Sequence, residues 1–171
     1  MDLGLEGHTA IVAGSTSGRG AAVATMLGRE GAKVVIAGRR QALAQQLASE
    51  LPRAIGVGPD LADPTSVETV VSAAKRAFGA GDIVVLNSGG PAPAVDLDEG
   101  LLQSGPTALL FRQVDLVASL LPCMRSRPWG RIVAIGCSRV QQPLAGWTTD
   151  PPSAPRRVVS RVGQRQEGVE S

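Results

Sequence analysis

Residues 9–20 read Thr9-Ala-Ile-Val-Ala13-Gly14-Ser-Thr-Ser-Gly18-Arg-Gly20, an apolar run that passes through three glycines into a helical pattern. This is the form of a strand turning into a helix through a phosphate-cradling loop. Glycines have no Cβ, so backbone amides can approach a pyrophosphate closely. The helix starting near Ser17 or Gly18 adds unpaired N–H groups and a positive dipole end. Gly14, Ser15, Thr16, Ser17, Gly18, Arg19 and Gly20 are therefore candidate dinucleotide-binding positions. A glycine loop taken alone is as readily a tight turn without a ligand, and only the rest of the chain decides between the two.

Outward from this stretch, apolar runs alternate with helical patterns, the sequence sign of a parallel sheet covered on both faces. The first helix runs through about Glu30, Gly31-Ala32 closes it, and Lys33–Ala37 reads as a buried second strand. Arg40 to Leu51, with Leu43, Leu47 and Leu51 at fourfold spacing, predicts a helix that Pro52 ends. A third strand at Ala54–Gly58 leads to Pro59-Asp60-Leu61. The next helix begins at Pro64, which suits a first turn, and repeats Val67, Val70, Val71 and Ala74. Ile83–Leu86 is a short fourth strand, followed by Asn87-Ser-Gly-Gly-Pro91 and a loop to about Pro106. A long helix from Thr107 to about Arg127 precedes a fifth strand at Arg131–Ile135. The expected fold class is α/β, a Rossmann-like doubly wound parallel sheet of about five strands, over residues 1–147. Residues 148–171, with Pro151, Pro152, Pro155 and four arginines, read as an irregular tail.

In such a sheet the ligand lies over the carboxyl ends of the strands. Gly14–Gly20, Arg39, Asp60, Asn87 and Cys137 all fall there, and five coincident strand ends favour a dinucleotide site over a bare turn. At the end of the second strand an acidic residue normally accepts hydrogen bonds from the adenosine ribose 2′-hydroxyl. This chain has Gly38-Arg39-Arg40 instead. Two guanidiniums and no carboxylate favour a phosphate at that position, hence NADP(H) over NAD(H). The alternative is that Arg39 and Arg40 simply face solvent at the start of a helix.

The 171 residues are 43% hydrophobic, enough for one compact domain with a sizeable core. No apolar run approaches the length of a membrane span, and the first residues lack the character of a secretory signal, so a cytoplasmic location is expected. Cys123 and Cys137 are too few for a disulfide framework, and the single His8 cannot complete a metal site, so no metal is expected. The net charge of +2 arises in residues 151–171, whose four arginines face only Glu167 and Glu170. Without interleaved aromatics this predicts a solvated segment, not a nucleic-acid surface.

Four features resemble the short-chain dehydrogenase/reductase family over residues 7 to about 147. They are the loop Gly14-x-x-x-Gly18-x-Gly20, the pair Asp60-Leu61, the element Asn87-Ser88-Gly89, and Trp129-Gly-Arg-Ile-Val at the fifth strand. Asn87-Ser-Gly-Gly-Pro91 with Gln142-Pro143 is more similar to a divergent branch than to the classical members. The resemblance implies strand order 3-2-1-4-5, hydride transfer between NADP(H) and a carbonyl or alcohol, and Asp60 and Leu61 beside the adenine, with Asn87, Ser88 and Gly89 also at the cofactor.

The family's mechanism also needs a tyrosine as proton donor, a lysine that lowers its pKa, and a serine on the substrate oxygen. The chain contains no tyrosine. In register, the serine position falls on Cys137 with Ser138 beside it, the tyrosine near Asp150, the lysine near Ala154, and the family's helix-four asparagine on Leu109. A thiol is a weak donor, and Cys137 is equally a small residue ending a strand. Lys33 and Lys75 lie away from the strand ends. Family members continue with further strands, so the chain resembles a C-terminally truncated member whose fifth strand is an open edge. That predicts an oligomer or a complete paralogue as partner. The alternative to an impaired oxidoreductase is a non-catalytic dinucleotide-binding or interaction protein, or a cofactor-independent enzyme on the same scaffold.

Overall fold

A computed structural model describes residues 3–60, 63–79, 81–87, 110–127 and 129–136. Five parallel strands form one sheet in the order β3-β2-β1-β4-β5. The central strand β1 is Thr9–Ala13, with β2 (Lys33–Ala37) and β3 (Ala54–Val57) on one side and β4 (Ile83–Leu86) and β5 (Arg131–Ala134) on the other. Ile11 sits opposite Val35 of β2 and Val84 of β4, and β5 aligns Ile132 with Val84. The helices are α1 (Gly18–Arg29), α2 (Gln41–Ser49), α3 (Ser66–Phe78) and α4 (Arg112–Arg125).

Every residue of β1 is buried, because both faces of the sheet are covered. Ile11, Val35 and Val84 pack with Val67, Val70, Val71 and Ala74 of α3 and Leu116, Leu120 and Met124 of α4. Val12, Val34, Ile36 and Val85 face Ala24 of α1 and Ala44 and Ala48 of α2. Strands buried on both sides have no polar alternation, so they read as continuous apolar runs. Each fully buried valine or isoleucine contributes about 1.5–3 kcal/mol.

Several element boundaries and faces differ from the sequence expectation. On α2, Ala44 and Ala48 are buried with Leu47 packed beside them and Leu51 buried just beyond the helix, while Leu43 is exposed. The cause is Gly56 of β3: a Cβ there would overlap the backbone of Ala44 and Gln45, so helix and strand meet through small residues. Pro64 stands outside α3, because the Asp63 carboxylate accepts from the Thr65 N–H and hydroxyl, both at 2.8 Å, and makes a turn before the helix. Helix α4 is shorter than expected at its carboxyl end, where the Ser126 hydroxyl and Arg127 Nε donate to the Cys123 carbonyl at 2.9 and 3.3 Å. Residues 107–109 and the tail from 148 lie outside the described residues.

At the amino ends of the strands, Asp82 is a buried polar anchor. Its Oδ2 accepts from the Thr9 N–H at 2.9 Å and its Oδ1 lies 2.6 Å from Arg127 Nη1. The Asp82 carbonyl accepts from the Arg131 N–H at 2.9 Å, so one residue joins β1, β5 and the end of α4. The His8 ring stacks on Trp129 with centroids 3.7 Å apart. Nothing in the sequence pattern singles out this cluster, whose members become neighbours only through the strand order.

Candidate functional site

At the opposite, carboxyl edge of the sheet, β1 turns into the glycine loop. Gly14 has φ +59° and Gly18 φ +56°, the left-handed region that favours glycine. A Cβ on Gly14 would overlap the Asn87 carbonyl, and one on Gly20 would overlap the Gly14 carbonyl and Asn87 Nδ2. Gly14, Gly20 and Asn87 are thus in mutual close approach, and β4 supplies the floor of the loop. Asn87 Nδ2 donates to the Gly14 carbonyl at 3.0 Å and to that of Ala13 at 3.4 Å.

Ser15 secures the loop from beneath. Its N–H donates to the Ala37 carbonyl at 3.1 Å and its hydroxyl to the Val12 carbonyl at 2.6 Å, while the Ala37 N–H donates to that hydroxyl at 3.1 Å. The hydroxyl is fully buried between β1 and β2. Asn87 and Ser15 therefore shape the cradle through the backbone they hold.

Ser17, Gly18 and Arg19 form the exposed rim, and nothing lies within 4 Å of where a Gly18 Cβ would stand. Ser17 is the N-cap of α1 but its side chain makes no capping bond. The first turn of a twelve-residue helix thus begins at an exposed glycine with no side-chain cap over its amides, which suits an anion. Beside it, Arg40 donates from Nε and Nη2 to Thr16 Oγ1 at 3.3 and 3.1 Å, and from Nη2 to Ser17 Oγ. Gly38 permits this approach, since a Cβ there would stand 2.9 Å from Thr16 Cγ2. Arg39 is exposed next to it at the end of β2.

Asp60 follows β3 and lines a cleft of about 350 Å³ with Gln41, Asp63, Thr65 and Ser66. The two Thr65 donors, the backbone N–H first, hold the Asp63 carboxyl below the usual carboxylate range. Four strand ends, at Gly14, Arg39, Asp60 and Asn87, therefore meet on one edge of the sheet. Leu61, Ser88, Gly89, Cys137 and Ser138 lie outside the described residues. Sequence reasoning missed two things here: the close approach of Thr16 to Gly38, and the attachment of Arg40 to the loop. The glycine preceding two arginines was the available signal for the first. Among the described residues no helix is long and apolar enough to cross a membrane.

The same architecture is found in solved structures. L-Sorbose reductase from Gluconobacter frateurii, solved with NADPH and L-sorbose, superposes with a TM-score of 0.81 at 31% identity, over 86% of this chain and 59% of that one. An uncharacterized oxidoreductase of Staphylococcus aureus (strain USA300) is 39% identical over 87 residues, which are 50% of this chain and 38% of that protein. Glycine betaine reductase of Emericella nidulans is 39% identical over 89 residues, 7% of its length. The chain thus spans less than two thirds of the length of each of these relatives. The family described as short chain dehydrogenase matches residues 8–149, from the start of β1 past the end of β5, and the chain belongs to that family.

Proposed function

We propose that this chain binds NADP(H) across the carboxyl edge of its sheet and serves hydride transfer between the nicotinamide and a small carbonyl or alcohol substrate. The observation that carries this reading is the pair Arg39 and Arg40 at the end of β2, next to an open helix terminus and with no carboxylate in the position that would select a 2′-hydroxyl. The exposed amides of Gly18 and Arg19 would hold the pyrophosphate, and guanidinium charge in place of a carboxylate at the end of β2 would favour the extra phosphate of NADP(H) over NAD(H). The bound cofactor supplies the hydride; the chain supplies its orientation. The NADPH complex of the Gluconobacter reductase, with the same fold at 31% identity, supports the cofactor and the substrate class.

Proton transfer is the weak part of the site. The 171 residues contain no tyrosine, and the positions that match the family's oxygen-holding serine carry Cys137 and Ser138. A thiol orients a carbonyl poorly, so turnover by this chain is slow, and a dinucleotide-binding role without efficient catalysis is the second reading. The unit that binds is residues 1–147, acting in the cytoplasm as a homo-oligomer or with a complete paralogue. Titrating the protein with NADPH and with NADH, followed by fluorescence, tests the first part. Saturable binding that prefers NADPH supports it, and no binding by the folded protein rejects it. NADPH oxidation with a panel of ketones and ketoses then separates the catalytic reading from the binding one.

A further inference from the structure

We infer that Arg39 and Arg40 have different tasks: Arg40 is a positioning residue that clamps the phosphate loop, and Arg39 alone discriminates between NADPH and NADH. The inference rests on the cofactor reading above and adds a division that adjacency in sequence does not reveal.

The main chain of Arg40 is fixed as the N-cap of α2, where its carbonyl accepts from the Ala44 N–H at 3.0 Å. Its guanidinium crosses back to the other helix terminus. Nε and Nη2 donate to Thr16 Oγ1, and Nη2 donates also to Ser17 Oγ. Two of its three nitrogens are thereby committed to the loop.

Two further observations fit a clamp. Gly38 is buried, its N–H donates to the Val57 carbonyl at 3.1 Å, and its missing Cβ leaves the space that Thr16 occupies. Ser17, engaged by Arg40, makes no side-chain cap on α1, so its hydroxyl does not compete with an anion for the first-turn amides. Arg40 thus keeps the loop open for the pyrophosphate, which NADPH and NADH share. Arg39 is exposed beside it and has no side-chain partner among the described residues, so its planar fork is available to a phosphate.

The test is titration of wild type, Arg39→Ala and Arg40→Ala with both dinucleotides, with circular dichroism to establish folding. Losing a bidentate charge-assisted contact in Arg39→Ala raises the NADPH dissociation constant about 30-fold and leaves that of NADH within about twofold. Arg40→Ala weakens both by a similar factor of about five, leaving their ratio nearly unchanged. In a Thr16→Val, Ser17→Ala background, where the clamp has no acceptors, adding Arg40→Ala changes either constant by less than about twofold. Arg40→Lys, a single point donor, recovers only part of the loss.

A drop in NADPH preference in Arg40→Ala matching that in Arg39→Ala overturns the division. So does an undiminished effect of Arg40→Ala in the background lacking both hydroxyls. A folded wild-type protein that binds neither dinucleotide rejects the cofactor reading itself, and the division falls with it.

Discussion

On the β2 side of β1 the sheet is closed by small residues in close approach; on the β5 side it is held at its amino end by a polar anchor and left partly open. Gly56 accepts the backbone of α2, and Gly28 of α1 approaches Leu51. Across β1, Val133 of β5 is 47% exposed and Phe111 before α4 is 57% exposed. Each half is therefore vulnerable to a different kind of change. The first half is limited by space and fails when an atom is added, whereas the second depends on Asp82 and fails when a polar partner is removed.

The strongest way to break this contrast is to add the same kind of atom on both sides. Gly56→Ala drives a methyl into the α2 backbone and is expected to cost about 3 kcal/mol, measured as a loss of urea stability. Ala134→Val, at an exposed position of β5, should change stability by less than about 0.5 kcal/mol. Equal costs would show that the two sides do not differ in available space.

Removing the anchor comes next. Asp82→Ala leaves the buried Thr9 N–H without its side-chain acceptor and Arg127 without its carboxylate, and should cost about 2–3 kcal/mol. The loss should appear first as faster amide exchange in β5, since the Asp82 carboxylate pairs with Arg127, which follows α4 in the segment leading to that strand. A uniform loss across all five strands would make Asp82 a general stabiliser and not the tie of one side.

Truncating one valine on each side follows in size. Val84→Ala in the buried core should cost about 2 kcal/mol, and Val133→Ala less than about 1 kcal/mol, because little apolar area is uncovered at a half-exposed site. If Val133→Ala costs as much as Val84→Ala, something covers the outer face of β5 in solution.

The smallest effect is one of pH, at the turn before α3. The Asp63 carboxyl is held below its usual range by the Thr65 donors, so its folded-state value lies under the unfolded one. Its contribution is present above the unfolded value, near pH 4, and is lost as pH falls through the folded one. The stability gap between wild type and Asp63→Ala should therefore narrow on acidification below about pH 4. A gap that stays constant would mean that the turn does not depend on the charge.

The strands were legible because burial on both faces leaves a run that identifies itself. Thr9–Ala13, Lys33–Ala37 and Ile83–Leu86 match their expected bounds. The glycine loop was legible because its chemistry is local. What depends on a partner elsewhere was not. The spacing of Leu43, Leu47 and Leu51 predicts the helix, and Leu47 and Leu51 pack on the core, but the close approach of its Ala44 backbone is set by Gly56 on another element. Arg40 reaches a hydroxyl 24 residues away, and Asp82 accepts from an amide 73 residues away, so neither role is present in any local window.

The loop at Gly14 lies near the beginning of the chain, yet the side chain beneath it comes from Asn87, 73 residues later. Contacts of such long sequence separation form late, after the cost of closing the intervening chain has been met. As the polypeptide is synthesised, the first three strands with their helices emerge and can assemble locally before the fourth. The glycine loop is thus expected to be among the last parts of this edge to be completed, since the side chain that supports it arrives only when the residue after β4 has docked.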